Sequence, residues 1–560
     1  MKSILIALLS ASVLVGCSKK ETAAPETRPE NPKGFEIVDQ TGQADTGNWF
    51  VKDPVDDKLE GVSSEKAIKE FDLKHEREII VAVIDSGVDV KHPDLQGKIW
   101  VNPKESGLDE KGVDKANNGI DDDGNGLVDD VHGWNYLGGA DGKNIEQETL
   151  EMTREALAYD KLLASGAVLT PEQEAYYKKV VAAYEAEKKD AQDTLAEMEP
   201  QEKKVAAAKA TLKEKLGLED YSQAALEAAT SADADVLAAK DVLLATIKQY
   251  RTVERFYRIF DNAKNTLAYY LNKDFNPRTI VGDDPNDFSQ TVYGNNDVQG
   301  PDALHGTHVA GIIASVRGNG IGVDGVAENV KIMALRAVPD GDERDKDVAL
   351  AVRYAVDHGA HIINMSFGKG FSPGKAHVDA AFLYAAEKGV LLVHAAGNSA
   401  KNNDLGGNYP NRTVLNSAVL NLPAKIPTWM EIGASAQEKG LKMVASFSNY
   451  GKAEVDLFSP GVNLKATVPN NEYAVLSGTS MASPAAAGSA ALLMSNFPAM
   501  SAAQAKAILL RQVRLYNSLE VHLPGSSPLD LPVPFASLSA TGGVIDTLRS
   551  IKLAKDLSGR

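Results

Sequence analysis

The chain has 560 residues, 43% of them apolar, with 46 glycines, one cysteine and a net charge of −18 at pH 7. That length accommodates one large α/β domain and an accessory domain. The acidic balance argues against nucleic acid as a partner, because phosphate recognition needs basic patches, and a lone cysteine excludes an intrachain disulfide.

Met1-Lys2-Ser3 is a basic start, Ile4-Leu5-Ile6-Ala7-Leu8-Leu9 a short apolar core, and Leu14-Val15-Gly16 leads to Cys17. Residues 1–17 resemble a bacterial lipoprotein signal. The resemblance implies cleavage before Cys17, acylation of its thiol, and attachment to a membrane through the N-terminal lipid rather than a transmembrane helix. Residues 18–35 hold Lys, Glu, Thr, Ala and Pro, the composition of a flexible tether. The implied location is the bacterial cell envelope, exported and lipid-anchored. Ser18 after the cysteine resembles a signal for the outer membrane, where the source has one.

Residues 36–143 form the first part of the main domain. Ile79-Ile80-Val81-Ala82-Val83-Ile84 is an uninterrupted apolar run, as expected for a parallel strand buried on both faces, and Asp85 stands at its end. Open α/β sheets carry their chemistry at the carboxyl ends of strands. Further on, Asn117 to Asp130 alternates carboxylates and amides with glycine. Oxygen ligands on a glycine-bent loop suit Ca²⁺, here Asp121, Asp123, Asn125, Asp129 and Asp130. Asp121, Asp123, Asn125 and Gly126 match the first half of an EF-hand loop, but His132 stands where the bidentate Glu belongs, so this is not an EF-hand.

Residues 144–275 change composition to Ala, Glu, Lys and Leu, with Gly166, Pro171, Pro200 and Gly217 as breakers, and predict an inserted helical hairpin or bundle. Thr170-Pro171-Glu172-Gln173 reads as an N-cap, a first-turn proline and a capping-box partner, and Gly217 as a C-terminal stop. Leu243, Ile247, Tyr250, Val253, Tyr257, Phe260, Leu267 and Leu271 form one stripe and predict a single last helix. Nothing ionisable in the insert points to chemistry. A lid beside a cleft, or a dock for a protein partner, is its expected role.

Residues 276–550 resume the main domain, with 551–560 as a tail. Three segments stand out. His305-Gly306-Thr307-His308 opens a helix-like apolar run; Val390 to Asn398 is an apolar strand ending in a side-chain amide; Gly478-Thr479-Ser480-Met481-Ala482-Ser483-Pro484 leads into a small-residue helix whose first N–H groups face outward. A serine hydroxyl is a poor nucleophile at neutral pH. It needs an imidazole to take its proton and a carboxylate to hold that imidazole in the right tautomer.

Asp85, His305 and Ser480 occur in the chain order of the subtilisin group, one of three unrelated orders known for this constellation. With its flanking motifs the chain resembles the subtilase family of serine proteases over about 36–143 and 276–550. The resemblance implies a three-layer α/β/α domain with a mainly parallel sheet. It implies an endopeptidase that hydrolyses polypeptides through an acyl-enzyme, and that needs no cofactor for the chemistry beside a structural Ca²⁺. Asp85 would orient, His305 would act as base and acid, Ser480 would attack, and Asn398 would pair with the Ser480 N–H as oxyanion donor. Ile362 to Gly368 resembles the segment that pairs with an extended substrate, and Ser366-Phe367-Gly368 with Ala395-Ala396-Gly397 would wall an apolar, medium-sized pocket. His308 reads as a packed neighbour. A competing class is a catalytically silent surface scaffold or binding protein that uses the helical insert.

Overall fold

The computed structural model describes residues 36–37, 48–414 and 424–559, with backbone alone at 36–37. Cys17 and the tether lie outside the described residues. Among the described residues no helix is long and apolar enough to cross a membrane.

The apolar runs assemble one nine-stranded sheet. In chain order its strands are β1 (Ile79–Asp85), β2 (Gly133–Asn135), β3 (Val330–Arg336), β4 (Ile362–Met365), β5 (Leu391–Ala395), β6 (Trp429–Ser435), β7 (Leu457–Pro460), β8 (Arg514–Leu515) and β9 (Gly543–Val544). In space they run β8-β9-β7-β6-β5-β4-β1-β3-β2. Every neighbouring pair is parallel except β8 with β9. From β1 the chain builds outward in both directions, so the strand order reverses at β1, the position where open α/β sheets carry their crevice.

Successive side chains of a strand point to opposite faces, and both faces are covered. Val81, Val83, Ile332, Ala334, Val393 and Ile432 enter one core, with α5 (Leu304–Ala314), α8 (Thr479–Asn496), α9 (Ala502–Arg511) and α10 (Thr547–Ser558). Ala82, Ile84, Met333, Leu335 and Leu392 enter the other, with α6 (Asp345–Asp357) and α7 (Lys375–Glu387). This is the three-layer α/β/α architecture. Helix α10 runs across the expected boundary at 550 and buries Ile551 and Ala554, so the predicted tail belongs to the domain. A hairpin of Leu464–Val468 and Glu472–Ser477 stands beside the sheet, and residues 36–37 add a strand to it.

The insert is helical, with three departures from its pattern. Ile145 is fully buried in the main core, and the first insert helix, α1, starts only at Glu151 (Glu151–Ala164), so residues 144–150 belong to the main domain rather than to the insert. Helix α2 (Pro171–Leu216) has the predicted capping box at Thr170 and Gln173 and ends on Gly217 in the left-handed region at φ 63°, but it continues through Pro200 for 46 residues. One missing N–H is outweighed because Met198 and Val205 on either side are buried against the neighbouring helices. The predicted last helix is two: α3 (Ala234–Tyr250) and α4 (Val253–Asn265), separated where Arg251 takes φ 72° and the Thr252 side chain caps Arg255 N–H at 3.0 Å. The local cap overrides the continuous stripe, and Leu243, Ile247, Val253 and Phe256 still share one core.

That distal core is separate from both cores of the sheet. Phe256→Ala is expected to destabilise it by about 3–5 kcal/mol. Hydrogen exchange should show protection lost in α3, α4 and the distal half of α2, with β1 to β7 unchanged.

Candidate active site

Asp85 ends β1, and His305 lies in the first turn of α5. Their approach depends on Gly306, where a Cβ would stand 2.1 Å from the Gly87 carbonyl oxygen. Glycine therefore lets α5 lie against the end of β1. Asp85 Oδ1 accepts from Ser86 N–H at 2.7 Å and lies 2.7 Å from His305 Nδ1. A carboxylate on Nδ1 fixes the tautomer that presents Nε2 as acceptor. His308, one turn on, faces inward: its Nε2 is 3.1 Å from the Leu464 and Ala474 carbonyls, and burial pushes it down to about 3. It ties α5 to the hairpin.

Ser480 opens α8, whose 18 residues are all buried. Its hydroxyl donates to the Ser366 carbonyl at 3.1 Å, and the Ser366 hydroxyl donates back to the Ser480 carbonyl at 3.0 Å. Asn364 Nδ2 donates to Ser366 Oγ at 3.0 Å, and Ser483 Oγ donates to Asn364 Oδ1 at 2.7 Å. This chain of polar groups locks the start of α8 to the end of β4. Asn398 follows β5, and its side-chain oxygen accepts from the Thr479 N–H at 2.8 Å and the Thr479 hydroxyl at 2.9 Å. Thr479 thus fixes the amide so that its NH₂ edge faces away from Thr479. In the sequence this threonine has no assigned role, although its hydroxyl adjacent to Ser480 is the available signal.

The subtilase family model matches residues 76–526. The chain belongs to the subtilase family. It is 38% identical over 41% of its length to a thermophilic serine proteinase of Bacillus sp. (strain AK1), of which it spans 51%. It is 37% identical over 38% of its length to subtilisin BL of Lederbergia lenta, of which it spans 74%. With subtilisin DY of Bacillus licheniformis it shares 38% identity over 36% of its length and 67% of that protein.

In this subtilase the expected pocket walls divide. Phe367, Gly368 and Gly397 reach the surface, whereas Ser366, Ala395 and Ala396 are buried and support it from behind. The Ala396 carbonyl accepts from the amides of Asn403, Asn408 and Asn449 at 2.9, 3.1 and 2.9 Å. Asn408 Oδ1 lies 3.4 Å from where a Cβ on Gly368 would stand, and 3.6 Å from the same point on Gly397. Asn408 therefore closes the gap between the walls with a polar group. It sits in a loop with no motif of its own, which is why sequence reasoning passed over it.

The Asp/Gly loop also divides. Asp121 and Asp123 offer oxygens within 4.8 Å of each other and of Glu105, which the sequence reading missed. Glu105 is fully buried; its Oε1 accepts the Asp122 and Asp123 N–H groups, and its Oε2 has no hydrogen-bond partner. Asp123 also belongs to a second such group with Asp130 and His358, in which Asp130 accepts from Asn102, Asn125 and Tyr354 and lies 3.9 Å from His358 Nε2. Asp129 accepts from Gly119 N–H and joins neither group, because its backbone sits at φ 55° and turns it outward. Asn125 Oδ1 caps Leu127 N–H. Among the described residues no lysine or arginine pairs with Glu105, Asp121, Asp123 or Asp130. Burial, then the neighbouring Asp130 and Asp123, raises the Glu105 carboxyl; burial raises Asp130. An orphaned buried oxygen among uncompensated carboxylates fits a hard divalent cation.

A carboxyl with a raised folded-state value favours folding while protonated and loses that contribution as pH rises through it. Without cation, the loop is therefore expected to be weakest at alkaline pH. Added Ca²⁺ should raise the thermal midpoint more at pH 8 than at pH 5, and Glu105→Gln should shrink that increment.

Proposed function

We propose that the chain is a serine endopeptidase that cleaves polypeptides through an acyl-enzyme. The observation that carries this reading is the 2.7 Å approach of Asp85 to His305 across 220 residues of sequence, on the crevice side of the sheet where Ser480 begins its helix. Asp85 holds the imidazole and stabilises the imidazolium. The Ser480 hydroxyl leaves the Ser366 carbonyl by rotating about its Cα–Cβ bond, passes its proton to His305 Nε2 and attacks the scissile carbonyl. The Asn398 amide and the Ser480 N–H receive the oxyanion. His305 then gives the proton to the leaving amine, and water repeats the sequence to release the acyl group.

Polypeptide is the substrate class because the end of β4 offers main-chain pairing to an extended chain, which is tolerant of side-chain sequence. The surface of Phe367, Gly368 and Gly397 over Asn408 suits a small or medium residue before the scissile bond. Glu105, Asp121 and Asp123 would hold a Ca²⁺ that neutralises the loop; it takes no part in the chemistry. Cys17 would carry the lipid that tethers the enzyme to the cell envelope.

A fluorophosphonate probe is expected to label the protein, and Ser480→Ala to abolish labelling. Asn398→Ala should lower kcat on peptides by about a hundredfold to a thousandfold, a range set by a subtilisin, a relative of this chain. A folded protein that neither labels nor cleaves would return the reading to a surface scaffold.

A further inference from the structure

The insert meets the main domain through buried charge at the segment that follows β4. Lys369 comes directly after Gly368, and its side chain is 2% exposed. Its ammonium donates to Glu151 Oε2 at 2.7 Å and to the Glu343 carbonyl at 2.7 Å, and forms an ion pair with Asp345 Oδ1 at 2.9 Å. Glu151 is the first residue of α1, the helix that opens the insert. Its own N–H donates to Asp342 Oδ2 at 2.7 Å, and Arg154 clamps its carboxylate at 3.1 and 2.7 Å.

The main chain of Lys369 exchanges two hydrogen bonds with Tyr409, at 2.8 and 3.0 Å, beside Asn408. Two residues further on, Phe371 is buried against Ala156 of α1 and Val180 of α2. Residues 366–371 are therefore gripped at one end by Ser480, through Ser366, and at the other by the root of the insert. Burial opposes both charges, yet Glu151 and Asp345 hold the ammonium well above the usual lysine range, and Arg154 and Lys369 hold the Glu151 carboxyl far below the carboxylate range. A buried ion pair of this kind is weak evidence for stability, since apolar side chains of similar volume often pack as well. Fixed acceptors on two separate segments, Glu151 on one and Glu343 with Asp345 on the other, do, however, specify where residue 369 must lie.

We propose that the root of the insert is a positioning device for substrate: the Lys369–Glu151 pair sets the segment at 366–368, just beyond β4, against Tyr409 and Asn408, so that an extended polypeptide pairs in register with Ser480. The proposal rests on the peptidase reading above. Lys369 and Glu151 are positioning residues and touch no reacting atom. Movement of α1 would loosen polypeptide capture and leave the Asp85–His305 pair in place.

The test compares wild type, Glu151→Gln and Lys369→Met in the full chain with its insert. The measurements are fluorophosphonate labelling rate, hydrolysis of a single-residue ester, hydrolysis of peptides reaching four residues before the scissile bond, and thermal midpoint. The expected result is a fall of about tenfold or more in kcat/KM on the long peptides, carried mainly by KM, with labelling and ester rates changed by less than about threefold. Glu151→Gln keeps the volume and one acceptor, so it serves where Lys369→Met fails to fold. Equal losses on ester and long peptide, or no loss on either, would overturn the proposal. A wild-type protein that neither labels nor cleaves the ester would overturn the peptidase reading, and this inference with it.

Discussion

The candidate active site depends on one packing constraint: helix α8 is buried along its whole length, from Thr479 to Asn496. A helix apolar on all sides can be enclosed only if its side chains are small enough for neighbouring backbone to approach. Ala485, Ala486, Ala487, Gly488, Ala490 and Ala491 meet that need, and a Cβ on Gly488 would stand 2.6 Å from the Val326 Cβ. Close packing on all sides leaves α8 little freedom to shift or rotate. Its first turn therefore arrives at a fixed place, where Thr479 fixes the Asn398 amide and Ser480 and Ser483 engage Ser366 and Asn364. Ser480 and the Asn398 amide are positioned by the same core that stabilises the domain.

What could be read in the sequence follows from how local each signal is. Ile79 to Ile84 specify a buried strand by their own apolarity, and Asp85 is conspicuous because it ends that run. Thr170, Pro171, Gln173 and Gly217 carry the chemistry of helix ends within a few residues of themselves. Glu105, Asn408 and Lys369 carry no such pattern. Each acquires its meaning from partners far along the chain: Glu105 from Asp121 to Asp123, Asn408 from Gly368 and Ala396, Lys369 from Glu151 and Asp345. Pro200 as a breaker and the single last helix fail for the converse reason. Tertiary burial beside Pro200 overrode a local breaker, and a threonine cap after Arg251 overrode a periodic stripe.

Polar groups around the site are placed by what each must do. Apolar replacements could fill the same volume around Ser366, Asn364 and Ser483, but directional bonds fix the orientation of Ser480 as well as its occupancy. The three asparagine amides on the Ala396 carbonyl act in the same way, fixing the turn after β5 without burying a charge.

The long insertion between Asp85 and His305 leaves their geometry intact because its ends meet. Leu150 N–H donates to the Tyr270 carbonyl at 2.9 Å, and the Thr153 hydroxyl donates to the same oxygen at 2.8 Å, across 117 residues. From the main domain, the insert leaves and returns at nearly one point, so the helices close the loop by their own folding. Even as flexible chain, each doubling of such a loop would cost only about 0.6 kcal/mol. The main domain can therefore accept a helical body of this size at a surface connection without rearranging its sheet. The same closed root places Glu151, clamped by Arg154, against Lys369 in the segment after β4, so a surface insertion gains a buried contact with that segment.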